Sequence, residues 1–502
     1  MNRAALPARA LLLTACVTAL AFANAAALRA HWDLDNLGTS RRYWEDMTVA
    51  VSLYETRGWG PTPALPLNEA LVQHVNARLK ELLPRAEQRV DLRPWEFWRT
   101  VPLRSFSNIA PFELRFSDDT GRARLSSLGF RWLQGIAPYL PIWLPFLGFI
   151  PLVFWIAFES LRSGEGGAAA VFLLLAACSA YFLEALTLPY STAGFHLLAG
   201  LTIIPLSLFA FGPNPTPWGL WSRVGVTAAA LHVATWCRSS SIIFLAPAAL
   251  LFLIALLRIE ARSSLKRRAG LALLLIAALL APKALAPKQA HEVWIGIWEG
   301  LGDFDREHDH VWHDPTARMA LDREGYSMKI RGPYWTVETE AIFRRLVLRD
   351  VTKYPLWYTK ILIKRVIATV TQWRLLPTAR DSGMTYTLPQ HPNEGVTDTY
   401  YNFVKTVDVF TAFGRTWEAP LWLLWLAPIA FTGSNLARRR ASFRMRAGVI
   451  SSFALGALLM PVAITTASGI ETQLFAFSFL LCAAFLATDA VRSLRSSAAG
   501  AA

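Results

Sequence analysis

The chain has 502 residues, 54% of them hydrophobic and 17% charged, with 20 Trp and 29 Phe. A mean hydropathy of +0.32 is too apolar for a water-soluble globular protein of this length, and repeated apolar runs of about 20 residues point to a polytopic helical membrane protein. The net charge of +14 sits mostly in short connecting segments, which makes it a topology signal and excludes a nucleic-acid partner. Cys16, Cys178, Cys237 and Cys482 lie within or at the edge of apolar runs and form neither a disulfide framework nor a zinc spacing.

The first predicted helix covers residues 8–28. Arg3 and Arg9 followed by apolar and then small residues also make the pattern of a signal peptide, but the topology below closes with an uncleaved anchor. Just beyond comes His31-Trp32-Asp33-Leu34-Asp35-Asn36, with two carboxylates at i and i+2 where a membrane helix meets water. Carboxylates so placed coordinate a divalent metal or take a proton from a nucleophile; the plainer reading is a solvated helix end. Glu45-Asp46 is a rival acidic pair. Residues 67–89 carry Leu71, Val75, Leu79, Leu82 and Leu83 at helical spacing. Residues 112–116 and 122–126 flank Asp118-Asp119-Thr120-Gly121, which predicts a small hairpin.

Further helices are predicted over 137–160, 168–188, 193–211, 223–236, 240–257, 268–286, 417–433, 446–465 and 471–491. As one helix, residues 223–258 would be about 54 Å long, well beyond a bilayer core, so a break is placed at Cys237-Arg238-Ser239-Ser240-Ser241. With it, Arg162, Arg223, Arg258, Arg262, Lys266 to Arg268, Arg438 to Arg440, Arg444, Arg446, Arg492 and Arg495 share one side with Arg3 and Arg9. The opposite turns, 189–193 and 466–471, carry no Lys or Arg. The positive-inside rule then puts both termini in the cytoplasm and two long segments outside. The division is an anchor (1–30), a first outer segment (31–136), central membrane helices (137–286), a second outer segment (287–416) and C-terminal membrane helices with a tail (417–502).

The second outer segment gathers His291, Glu292, Glu299, Asp303, Asp305, His308, His310, His313 and Asp314 beside Trp294, Trp298 and Trp312. Such a set can ligate a transition metal or line a sugar site, or be a polar loop poor in lysine; its spacing matches no standard zinc motif. Gly300-Leu301-Gly302 lacks the third glycine and the preceding strand of a nucleotide fingerprint. Amphipathic helices are expected over 341–350 and 354–373, where Arg344, Arg345, Arg349, Lys360, Lys364 and Arg365 either meet lipid phosphates or snorkel. Within the apolar runs, Arg238 beside three serines can hold a phosphate or pair with Glu184. His196 and His232 read as helix–helix hydrogen bonds.

A first membrane helix, an acidic motif in the first outer segment, about ten helices and a second long outer segment together resemble the GT-C glycosyltransferases, the membrane superfamily of protein mannosyltransferases and lipid A aminoarabinose transferases. The segments around 31–46 and 291–326, including Trp298-Glu299-Gly300-Leu301-Gly302-Asp303 and Trp312-His313-Asp314, look like uncharacterised bacterial members. The resemblance implies an all-α polytopic fold in the bacterial inner membrane, with a polyprenyl-phosphate-linked sugar as donor and transfer to a glycan, lipid or protein acceptor on the outer face. Asp33 or Asp35 would match the family's first-segment acid, as general base or as ligand of a divalent metal (Mg or Mn). Arg238, Glu299, Asp303, His308, His310, His313, Asp314 and Arg331 are the candidate substrate-binding residues, with Arg344 and Arg345 as further cations for the phosphate. The chain departs from the mannosyltransferase pattern in having Asp-Leu-Asp where that type has adjacent Asp-Glu. Two other readings come from different classes: a transporter or flippase of a lipid-linked saccharide, which predicts broken helices or inverted repeats, and a non-catalytic subunit of an envelope-assembly complex.

Overall fold

The structure is a computed structural model that describes residues 5–29, 121–133, 136–187, 193–213, 215–285, 293–302, 308, 310, 314–326, 337–371, 441–464 and 469–501, with isolated positions between 43 and 77. Among these residues it is helical, with no strand. In chain order the helices are α1 (Leu6–Arg29), α2 (Gly121–Trp132), α3 (Leu140–Arg162), α4 (Gly166–Cys178), α5 (Ala180–Thr187), α6 (Ala193–Leu201), α7 (Ile203–Phe211), α8 (Pro217–Cys237), α9 (Leu245–Ile259), α10 (Leu265–Leu285), α11 (Trp294–Gly300), α12 (Asp314–Arg323), α13 (Val337–Lys353), α14 (Pro355–Thr371), α15 (Ala441–Ala463) and α16 (Gly469–Ala501). Four described stretches, Leu6–Ala27, Ala137–Arg162, Gly194–Phe211 and Ser239–Ile259, are long and apolar enough to cross a bilayer. This is consistent with a membrane-embedded protein. The predicted helix at 417–433 and most of the one at 67–89 lie outside the described residues.

The main body packs α1 against α3 and α4, and α15 against α7 and α16. Phe149, Phe182 and Phe477 form a chain of edge-on rings at 5.2 and 5.4 Å. Glycines let the helices close in: Gly456 faces Ile203 and Pro247, while Gly448 faces Phe211. That pairing makes α7 and α15 antiparallel. A second core, built by α11 to α14, contains Trp298, Leu321, Tyr326, Phe343, Leu346, Val347, Trp357 and Ile361. The two amphipathic stretches expected over 341–350 and 354–373 thus close their apolar faces on each other and on α11. This module joins the body where the buried Arg365 donates from Nη1 to the Val462 carbonyl at 3.0 Å, and where Ile464 lies against Gly296.

The body has two chemically different ends. At one, Glu159 accepts from Arg162 (2.8 Å) and Arg223 (2.5 Å), Arg446 joins Glu165 (2.9 Å) and Asp489, Arg492 donates to the Gly164 carbonyl (2.8 Å), and Arg258 donates to the Ala210 carbonyl. The other end receives the carboxyl end of α15 and the module. Arg238 belongs to this second end, because α9 starts beside it and runs the length of the bundle to Arg258.

The break expected in residues 223–258 is present. Arg238 is extended (φ −151°, ψ 103°) between α8 and a 3-10 turn over Ser239–Phe244 that leads into α9. The helix expected over 168–188 also breaks: Ser179 is extended (φ −77°, ψ 114°), and its hydroxyl accepts from the Phe182 amide at 3.5 Å, capping α5. One expectation is corrected. Residues 122–126 belong to α2 and form no hairpin strand. Tertiary packing overrides the local turn signal: Arg122 makes a buried ion pair with Asp46, Phe130 packs on Tyr54 at 5.9 Å, and Gly121 abuts the Trp236–Cys237 backbone, where a Cβ would come within 2.5 Å.

Candidate functional site

Two polar clusters occupy the module end. The first surrounds the Arg238 break. The 3-10 turn buries Ser239, Ser240 and Ser241, and Ser240 Oγ lies 3.5 Å from Nδ1 of His196 on α6. His196 is fully buried, packs on Phe244 at 4.9 Å, and has Arg238 as an electrostatic neighbour. An extended residue followed by a 3-10 turn leaves backbone groups outside the α-helical pattern, and inside an apolar body such a break is tolerated where protein or a polar cavity surrounds it. A guanidinium with hydroxyl and imidazole groups around it offers donors to an oxyanion. His232 makes the expected helix–helix contact, Nε2 to the Leu279 carbonyl at 3.1 Å.

The second cluster lies in the module. His310 Nε2 is 3.0 Å from Asp350 Oδ2, and Arg349 Nε donates to Asp350 Oδ1 at 2.7 Å. Around this dyad stand Trp298, edge-on to His310 at 5.2 Å, and Trp357, stacked on it at 5.4 Å. The exposed His308 ring stacks on Tyr354 at 3.7 Å and meets Trp357 edge-on at 4.9 Å. Burial pushes the His310 imidazole below its ordinary 6.5, outweighing the Asp350 hydrogen bond and charge. Burial alone would push the Asp350 carboxyl up, but hydrogen bonds and charge from Arg349 and then His310 hold it below 3.8. The ring is therefore neutral at pH 7 and its partner ionised.

A pH dependence follows. Because folding lowers the His310 pKa, the unfolded chain takes a proton near pH 6.5 that the folded chain refuses. The stability held there is full above 6.5 and is lost as pH falls toward the folded value; the Asp350 contribution lasts until pH drops below 3.8. Amide exchange in α13 and α14, corrected for intrinsic rates, is expected to quicken between pH 7 and pH 5, and His310→Phe should remove that dependence. An unchanged profile in the wild type would contradict a neutral buried imidazole.

Of the sequence-predicted site residues, His308 and His310 come together, whereas Arg238 lies apart on the body. Glu299 is buried at the end of α11. Asp314 begins α12, while its side chain, like that of Glu184, is outside the described residues, as are Asp33, Asp35, Asp303, His313 and Arg331. Arg345 pairs with Glu324, and Arg344 lies 5.7 Å over the Trp294 ring, so both cations proposed for a phosphate have partners within the module. Among the described residues no group of three or more His, Cys, Asp or Glu side chains is gathered for a metal ion. Sequence reasoning missed Asp350, Tyr354 and Trp357 as neighbours of the histidines. The available signal was a carboxylate at the polar edge of an amphipathic helix, next to Arg349 in sequence. Comparison with protein families, curated proteins and solved structures gives no match to this chain.

Proposed function

We propose that the chain is a GT-C-type glycosyltransferase of the bacterial inner membrane, moving a sugar from a polyprenyl-phosphate donor to a glycan, lipid or protein acceptor on the outer face. The observation that carries the reading is the segregation of chemistry. The Glu159, Glu165 and Asp489 ion pairs with Arg162, Arg223, Arg446 and Arg492 close one end of an apolar helical body, and the Arg238–serine break and the histidine- and aromatic-rich module, which has arginines of its own, lie at the other. With the first of these ends cytoplasmic, about ten spans leave the module and the first-segment acids facing outward. Arg238 with Ser239 to Ser241 would receive the phosphate of the leaving lipid, and Asp33 or Asp35 would take the acceptor hydroxyl proton.

The test uses the full chain in nanodiscs with radiolabelled polyprenyl-phosphate sugars. Donor consumption is expected in the wild type, with a drop of about 10²-fold or more in Asp33→Asn or Asp35→Asn and a comparable drop in Arg238→Ala. Wild-type rates in both aspartate variants would remove the first-segment acid from the mechanism. The second break, at Ser179, supports a transporter of the same lipid-linked saccharide as the other reading, because discontinuous helices line transport sites. That reading expects donor binding and transbilayer movement without consumption.

A further inference from the structure

Among the described residues, the module contains two buried polar side-chain atoms, on His310 and Trp357, that are left without a hydrogen bond. His310 is 2% exposed and Trp357 5% exposed. His310 Nδ1 and Trp357 Nε1 have no hydrogen-bond partner among the described residues. Buried polar atoms in native proteins are almost always paired with protein, water or ligand, and here two of them lie on stacked rings whose centroids are 5.4 Å apart. Their hydrogen-bonding character is determined by their surroundings. The Asp350 carboxylate, fastened to Arg349, accepts from His310 Nε2, which leaves Nδ1 of the neutral ring as a lone-pair acceptor. An indole Nε1–H can only donate.

That pairing discriminates among ligands. A cation is repelled by the indole N–H, and an anion finds a lone pair at Nδ1. A ligand carrying both an O–H donor and an oxygen acceptor on neighbouring atoms, with an apolar face to lie on aromatic rings, satisfies both atoms. Adjacent hydroxyls on a sugar ring have this form. The surrounding surfaces are aromatic: Trp298 and Trp357 beside His310, and Tyr354 with His308 on the solvent side. His308 carries a left-handed backbone, φ 58°, which is costly for a residue with a Cβ. The ring lies stacked on Tyr354 at 3.7 Å.

We propose that His310 Nδ1 and Trp357 Nε1 bind two adjacent hydroxyls of a pyranose ring, with Asp350 as the residue that positions the imidazole. The proposal deepens the transferase reading and rests on it for the ring's role as substrate, whereas binding itself is measured separately. Saturation-transfer NMR on the full chain in nanodiscs, with methyl glucopyranoside, mannopyranoside and galactopyranoside as probes, tests it. The wild type is expected to transfer saturation to the ring protons of at least one probe. Trp357→Phe keeps the stacked ring and removes only the N–H, and should weaken that probe's binding at least fivefold; His310→Phe should do the same in protein that remains monodisperse. Asp350→Asn should weaken binding less and shift its pH profile, the signature of a positioning residue. No transfer from any probe, or equal affinity in Trp357→Phe, would overturn the proposal and leave ordered water as the occupant. Loss of the proposal with donor consumption intact leaves the transferase standing, and glycoside binding without donor consumption leaves a sugar site on a protein of another class.

Discussion

Glu159→Ala is expected to cost about 3–5 kcal/mol of folding stability, the usual penalty for removing one member of a buried ion pair. Glu159 is fully buried, pairs with Arg162 one turn on in α3, and connects α3 to α8 through Arg223. Both guanidinium groups lie over the Phe209 ring, at 5.4 and 4.4 Å. Removing the carboxylate leaves two like charges facing one aromatic ring at the edge of an apolar core. Their side chains are 24% and 15% exposed, so water relieves part of the repulsion and the lower half of the range is expected. Glu159→Gln keeps the shape and one acceptor and should lose less. Reversible unfolding in mixed detergent measures the difference; an unchanged midpoint in Glu159→Ala would show that α3 and α8 are held by apolar packing alone.

Asp46→Ala should have an effect of similar size, about 3–5 kcal/mol, for a reason that bears on mechanism. The Arg122 side chain is fully buried and that of Asp46 is 8% exposed. Their pairing fixes α2 against the body, helped by the Tyr43 hydroxyl donating to the Pro138 carbonyl at 2.9 Å. Asp46 was a rival for the catalytic acid, but its carboxylate is committed to the buried Arg122 guanidinium. The expected signature is therefore structural: donor consumption in Asp46→Ala falls in step with the folded fraction, and Asp46→Ala combined with Arg122→Leu recovers part of the stability. Loss of activity in Asp46→Asn at full stability would return Asp46 to the chemistry.

What the sequence made legible follows from length and polarity. Bilayer arithmetic located the Arg238 break, because no apolar run of that length fits one span. Apolar runs and helical spacing likewise outlined α3, α10, α13 and α14. Contacts between distant residues were not legible. Asp46 and Arg122 are 76 positions apart, and His310 and Asp350 are 40 apart, so neither pair leaves a local pattern. The hairpin failed for this reason, since the ion pair decides the backbone of residues 122–126. The Ser179 break lies in an alanine-rich run without Pro or Gly, where a serine hydroxyl serves a helix interior or a helix cap equally well. The histidine cluster was found by composition, while its carboxylate partner had to come from the other side of the module.

The Arg365 contact has a mechanical consequence. A guanidinium carried by α14 sits on one of the last carbonyls of α15, which face outward from the helix end without intrahelical partners. Any shift of α14 that preserves the bond pulls on α15 lengthwise, and the far end of that helix is pinned by Arg446 to Glu165 and Asp489. Strain introduced at the module by a bound ligand thus has a stiff rod to travel along, anchored at both ends by arginine.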